Sequence, residues 1–364
     1  QILFLGGGST VTIAQRMFEG MNSFALLAIP LYTFAGFTMS KGGISKRLMD
    51  FCYSIVGHIY GGLAHVNVLS SMIFAGISGS AVADTAGVSG MFMPEMIRKG
   101  YSKNFTVAVT AISSTIGIII PPSIPMVVIA GICGISTGKL FLGGIIPGIL
   151  CGLAQMIVSY FLAKKEGVPK EPGHFTIGPV LHGLWESWPA LLMPIIIVGT
   201  ITMGIVSPTE AGVIAVVYGL FAGGIIYREL KWEDIKFAFA ETVRTSGRIF
   251  IVIGAAKLYT VMLTTAGFDK WVAKTMLGFS TNPTVILIMI LLIFFIVTMF
   301  MESIATLTLF MPILYPIALG VGINPIVLSV LITVVIGIGL VTPPVGMCTV
   351  SYTHLRAHET LSDL

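Results

Sequence analysis

Apolar residues in this chain come in long runs separated by basic turns, and several runs are interrupted midway by small, polar or proline-rich breaks. The runs at 140–163, 189–206, 211–227 and 285–301 approach the ~20 residues that cross a bilayer core, so they predict transmembrane helices. A first span is predicted over 24–39, closed by Lys41, Lys46 and Arg47. Residues 44–60 place charged and apolar side chains at helical spacing, as a helix lying in the membrane interface does. Two half-length arms at 62–77 and 85–97 then flank the small and polar run SGSAVAD at 78–84, which predicts a re-entrant hairpin with a polar tip. The apolar stretch 105–119 runs into IPPSIP at 120–125, where prolines remove backbone donors and bias the preceding residues away from helix. A span broken in this way survives in lipid only where it lines a cavity or site.

A connector carrying Pro169, Pro172 and Pro179 separates two halves. After the spans at 189–206 and 211–227 come a charged amphipathic stretch at 228–248, a span near 249–263 and a second interfacial piece at 267–277. The order of the first half then returns. Apolar arms at 285–301 and 307–319 flank the tip ESIAT at 302–306, and the span 326–341 is broken by TPPVG at 342–346. Tip to proline pair takes 41 residues from Ser80 to Pro121 and 40 from Ser303 to Pro343, and LYT recurs at 31–33 and 258–260. These landmarks keep an offset of 222 to 227 residues, which an internal duplication explains.

If the turn 41–47 faces the cytoplasm, the basic residues within 98–103, 164–170 and 228–248 do too, leaving Arg16, Lys139, Lys270 and Lys274 outside that set, with Lys257 inside a span and Arg356 in the polar tail. This is the bias of the positive-inside rule. The two hairpins then enter from opposite sides, so the expected fold is an all-α polytopic membrane protein with inverted repeats, two re-entrant helical hairpins and broken helices, an architecture of secondary transporters. The expected divisions are a truncated N-terminal membrane segment at 1–43, a first transport repeat at 44–137, connecting or scaffold helices at 138–248, a second transport repeat at 249–350 and a non-native polar tail at 351–364.

Composition agrees: hydrophobic residues are 55% of the 364, charged residues 10%, and mean hydropathy is +0.97, against roughly a quarter charged in a soluble domain. A net charge of +4 is read as membrane topology, with no nucleic-acid partner. Cys52, Cys133, Cys151 and Cys348 lie singly in apolar stretches, so neither a disulfide framework nor a metal site is indicated. The histidines show no HExxH spacing and no Walker loop occurs, which leaves no catalytic residue to name and no cofactor beyond a coupling ion. Trp185, Trp188, Trp232 and Trp271 read as interface anchors.

Candidate chemistry sits at the tips and breaks. In the first repeat Ser78, Gly79 and Ser80 at the tip and Gly117, Ile120, Pro121, Pro122 and Ser123 at the break supply hydroxyls and carbonyls freed from helical pairing. Such oxygens suit a hard cation such as sodium, while half-helix N-termini suit an anion. The counterparts by position are Thr298, Ser303, Thr306, Gly339, Thr342, Pro343, Pro344 and Val345. Within these sets Ser78, Ser80, Gly117, Pro121, Thr298, Gly339, Thr342 and Val345 are the sodium candidates. Asp84 and Glu302 lie beside the tips at membrane depth, where an acid is costly and usually functional; each could carry a proton, contact sodium or cap a helix. Glu210, in SPTEAG, reads as a structural charge at a helix N-terminus.

The stretches LLAIPLYTFAG (26–36), FAGISGSAVADTAG (74–87), PEMIRKGY (94–101), IPPSIP, SPTEAG (207–212) and TPPVG, in this order, resemble the large membrane subunit of tripartite ATP-independent periplasmic (TRAP) transporters. The resemblance runs from about residue 15 to 346. It implies an elevator-type carrier in the bacterial inner membrane, a sodium gradient as driving force, a small membrane subunit, and a periplasmic substrate-binding protein that delivers an organic anion. An N-terminal segment and a longer C-terminal span usual in the family are missing, and SYTHLRAHETLSDL after Val350 fits neither family nor bilayer. Two alternatives stay open: a stand-alone sodium- or proton-coupled carboxylate carrier or antiporter, and an intramembrane enzyme using Asp84 with Glu302, against which neither GxGD nor HExxH is present. Dicarboxylates, keto acids and acidic sugars all remain candidate substrates.

Overall fold

The computed structural model describes residues 10–168, 175–346 and 348, and every regular element among them is helical. Six of these helices are long and apolar enough to cross a membrane. The chain begins with α1 (Thr10–Met21), which the sequence pattern did not announce, then a 3-10 turn at Phe24–Leu27 leading into α2 (Ala28–Lys41) and α3 (Ile44–Val56). The first hairpin is α4 (Gly62–Ser78) and α5 (Ala81–Arg98). The first broken helix is α6 (Lys103–Ser114), a 3-10 turn at Thr115–Ile118, and α7 (Ile124–Cys133). Three further helices follow: α8 (Thr137–Glu166), α9 (Ile177–Thr202) and α10 (Pro208–Phe221), the last running into a π turn at Ala222–Ile226. The remainder is α11 (Trp232–Thr265), α12 (Phe268–Phe279), the second hairpin α13 (Pro283–Thr298) with α14 (Ser303–Gly320), and α15 (Pro325–Gly339).

Three boundaries differ from the pattern reading. The polar run 78–84 is not an extended tip: α5 starts at Ala81, leaving Gly79 and Ser80 as the turn, because the alanines of AVADTA favour helix and polar side chains are tolerated in its first turn. Pro179 lies in the first turn of α9 rather than in a connector, where a missing N–H costs nothing. The stretches 228–248 and 249–263 fuse into the 34-residue α11, since no breaker stands between Arg248 and Ile249. At 1.5 Å per residue α11 is about 50 Å long, longer than the ~30 Å hydrocarbon core, so its charged N-terminal half can sit in the interface. Residues 169–174, with Pro169 and Pro172, and the polar tail at 351–364 lie outside the described residues.

The duplication extends into backbone detail. Gly43 and Gly267 are left-handed N-caps at φ 76° and 74° that turn the chain into α3 and α12, a conformation that favours glycine. From Pro94 onward the offset is a constant 222 residues: Pro94 and Pro316 lie inside the second hairpin arms, Gly100 and Gly322 follow them at positive φ, and Ser102 and Asn324 cap α6 and α15. Both hairpins pack on their own broken helix, and the repeats interlock as α14 lies on α7 while α15 meets the turn 115–118. Outside this core α8 presents Ile146, Leu150, Ile157 and Phe161 to the surroundings, as a lipid-facing helix does. Its inner face carries Gly144, Gly148 and Gly152, which let it approach the Ile119 carbonyl, Ile120 and Met72, small residues substituting close packing for hydrophobic drive. All four tryptophans are exposed, in keeping with an interfacial role.

Candidate functional site

Local sequence dictates each break. Pro121 and Pro122 carry no N–H, so the carbonyls of Gly117 and Ile118 lose the donors a continuous helix would supply. Ser123 restores one of them, its hydroxyl donating to the Ile118 carbonyl at 2.5 Å and accepting from Met126 N at 3.3 Å, which starts α7. The first-repeat tip is tied to this break: Gly79, left-handed at φ 64°, packs on the Pro122 carbonyl, and its own carbonyl accepts from Ile124 N at 3.1 Å. Residues 121 to 123 are all buried. Gly117 lies directly against the Asp84 carboxylate, with room for no Cβ between them. Asp84 is 2% exposed and sits in the first turn of α5, three residues inside the helix, so it is not the cap that its place before Thr85 suggested.

The second repeat uses the same plan with other atoms. Val345 N donates to the Met299 carbonyl at 3.3 Å, tying tip to break. Gly339 lies against Thr298 Oγ1 as Gly117 lies against Asp84, yet Thr298 comes from the first hairpin arm and Asp84 from the second. The Gly339 carbonyl accepts from Thr342 N at 3.1 Å, and the Leu340 carbonyl accepts from Cys348 N at 3.1 Å, so the carbonyls equivalent to those of Gly117 and Ile118 are both served by backbone. Thr342 donates its hydroxyl to the Ile338 carbonyl at 2.6 Å, and Thr306, fully buried, donates to the Glu302 carbonyl at 3.0 Å.

Of the three readings open for Glu302, the geometry shows capping. It is the N-cap of α14, accepting from Ile304 N at 2.8 Å, Ala305 N at 3.4 Å and the Ser303 hydroxyl at 2.5 Å. The first-turn donors of α14 and of α7 are thereby engaged within the chain. Glu210 forms the expected structural charge, a reciprocal capping box with Ser207. Of Ser78, the structure describes only its place at the end of α4. Pro343, Pro344 and Val345 lie in the exposed turn after α15.

Sequence reasoning missed Cys348. It is buried close to Thr85 and Ser114, so the segment after the second break reaches the first repeat. A cysteine in an apolar run gave no signal for this. Also missed was a buried polar cluster centred on Asn67, which donates to Thr110 at 2.8 Å and accepts from Ser113 at 3.1 Å; an asparagine inside an apolar arm was the available clue. Among the described residues no group of three His, Cys, Asp or Glu side chains could hold a metal. The tips and breaks thus offer neutral oxygens around one buried carboxylate, an arrangement suited to a monovalent cation.

Residues 1–353 match the family described as "Tripartite ATP-independent periplasmic transporter, DctM component". The chain is 38% identical over 335 residues to the isethionate TRAP transporter permease protein of Oleidesulfovibrio alaskensis, covering 92% of this chain and 53% of that one. It is 37% identical over 334 residues to the sialic acid TRAP transporter large permease protein of Vibrio cholerae, with coverages of 92% and 78%. It is 36% identical over 346 residues to the C4-dicarboxylate TRAP transporter large permease protein of Pseudomonas aeruginosa, with coverages of 95% and 81%. The chain thus spans about half the length of the first of these relatives, and all three are named as transporter permeases, not enzymes. Among solved structures, the Alcanivorax borkumensis YdaH transporter superimposes with a TM-score of 0.58 over 94% of this chain and 80% of its own at 13% identity, a likeness of fold alone.

Proposed function

Since the chain belongs to the DctM-component family of tripartite ATP-independent periplasmic transporters, as a large permease subunit that crosses the bacterial inner membrane several times, we propose that it moves an organic acid across that membrane by sodium symport. It works with a small membrane subunit and receives its substrate from a periplasmic binding protein. The observation that carries sodium coupling is the seat of Gly117 against the buried Asp84 carboxylate beside a break whose prolines leave the Gly117 carbonyl without a helical donor. Oxygen ligands of this kind suit a hard monovalent ion. Residues 44–137 and 249–350 act as the moving unit and the helices within 138–248 as its scaffold, in an elevator motion. The relatives' names span a sulfonate, an acidic sugar and C4-dicarboxylates, which supports an organic anion and no single substrate.

Proteoliposomes holding this subunit with its small membrane partner test the reading. Uptake is expected to need both an inward sodium gradient and the cognate binding protein. Equal uptake without the binding protein would make the chain a stand-alone carrier. Uptake that ignores sodium and follows a pH gradient would make it a proton symporter.

A further inference from the structure

We propose that the two hairpins are mechanically unequal: the first is stitched to its broken helix as one rigid unit, and the second is the compliant element through which the site opens and closes. This inference rests on the transport reading above. In the first repeat both hairpin arms carry side-chain hydrogen bonds to α6. From α4, Asn67 bonds Thr110 at 2.8 Å and Ser113 at 3.1 Å, and the Ser71 hydroxyl donates to Ser113 at 3.1 Å. From α5, the Thr85 hydroxyl donates to Ser114 at 2.7 Å. All six residues are buried at 2% exposure or less, and inside a bilayer no water stands ready to replace a broken bond.

At the offset of 222 residues Thr110, Ser113 and Ser114 correspond to Ile332, Val335 and Ile336. Counting from the helix starts Ala81 and Ser303, Thr85 corresponds to Leu307, and α13 is apolar throughout 285–297, so it offers no counterpart to Asn67 or Ser71. Every polar partner has become apolar. Of the hydroxyls in the second hairpin and α15, Thr298, Thr306, Thr308, Ser329 and Thr333 each donate to the carbonyl four residues earlier. Apolar side chains sliding past one another in lipid lose little, because lipid tails replace the lost contacts, whereas separating a buried hydrogen-bonded pair strands both partners. The repeats share a backbone plan and differ in the adhesive between hairpin and broken helix, which places the easy motion in α13 and α14.

Cysteine pairs joining each hairpin to its broken helix test this on a background with the four native cysteines replaced by serine. Ser71→Cys with Ser113→Cys locks the first hairpin to α6; a pair at facing positions of α13 and α15, which pack on each other, locks the second. Oxidation of the first pair is expected to leave uptake in proteoliposomes unchanged, and oxidation of the second to abolish it, with reductant restoring it. Loss of uptake on locking the first hairpin, or uptake surviving a lock on the second, overturns the proposal. A measurement independent of transport accompanies it: amide hydrogen exchange on the unaltered chain in lipid nanodiscs. Sodium is expected to slow exchange around residues 299–303 and leave residues 78–81 unaffected. Equal slowing at both tips, or slowing at the first alone, overturns the proposal even if no transport substrate is found, so its failure is distinguishable from failure of the transport reading.

Discussion

Gly117 abuts the carboxylate of Asp84 so closely that a single methyl on Gly117 would strike its Oδ2 atom. Elsewhere in a helical segment, exchanging glycine for alanine stabilises by up to ~1 kcal/mol, so the sign of this substitution is informative. Gly117→Ala is expected to displace the Asp84 side chain, lower the thermal unfolding midpoint in detergent, and raise the sodium concentration for half-maximal uptake. Gly339→Ala, which meets the Thr298 hydroxyl, should raise it less, since no charge is moved. A more stable Gly117→Ala protein with unaltered sodium dependence would remove Asp84 from the site.

Hydroxyls at the tips and breaks are expected to contribute modestly, because backbone carbonyls supply the other oxygens. Ser80→Ala and Thr342→Ala should each cost ~1–2 kcal/mol of sodium affinity, equivalent to roughly a five- to thirtyfold rise in half-saturating sodium. Uptake kinetics over a sodium titration read this directly. An unchanged titration for both variants would place the ion elsewhere.

A helix end that carries none of the tip or break residues serves as the control. Ser207 and Glu210 form a capping box at the start of α10, and Tyr32 and Thr209 tie this end to the 24–32 segment through bonds to the Pro208 and Phe24 carbonyls at 2.8 Å each. Ser207→Ala is expected to lower stability by ~1 kcal/mol with sodium dependence unchanged. A shift in half-saturating sodium would mean that the start of α10 is coupled to the ion site.

Much of this architecture was legible in the pattern of residues because lipid imposes strict rules: backbone polar groups must be paired, so breaks such as IPPSIP and TPPVG stand out against apolar runs. The repeat was legible because proline has few permitted conformations and removes a backbone donor, and so Pro121 and Pro343 mark equivalent places. What escaped was lateral placement. No periodicity tells which hydroxyl on α6 Asn67 will meet, or that Asp84 and Thr298, from non-equivalent arms, will face equivalent glycines. Helix starts were also displaced where small residues blur polar with helical, as at Ala81, because serine, alanine and aspartate are compatible with both tip and first turn.

Glu302 carries the last prediction, since an acid at membrane depth is suited to carry a proton, contact sodium or cap a helix. Its carboxylate accepts from Ile304 N, Ala305 N and the Ser303 hydroxyl, and an acid so placed is favoured by the positive end of α14. Glutamine keeps one oxygen able to accept those bonds, whereas alanine keeps none. Glu302→Gln is therefore expected to transport with sodium dependence intact and with stability close to the parent. Glu302→Ala should lose ~1 kcal/mol of stability, within the ~0.5–2 kcal/mol found for removed N-caps, and should lower uptake by loosening the second tip. Uptake by the parent chain should follow the sodium gradient at constant pH. Abolition of uptake by Glu302→Gln, together with uptake that tracks a pH gradient, would show that this carboxylate carries a proton and that the cap is secondary.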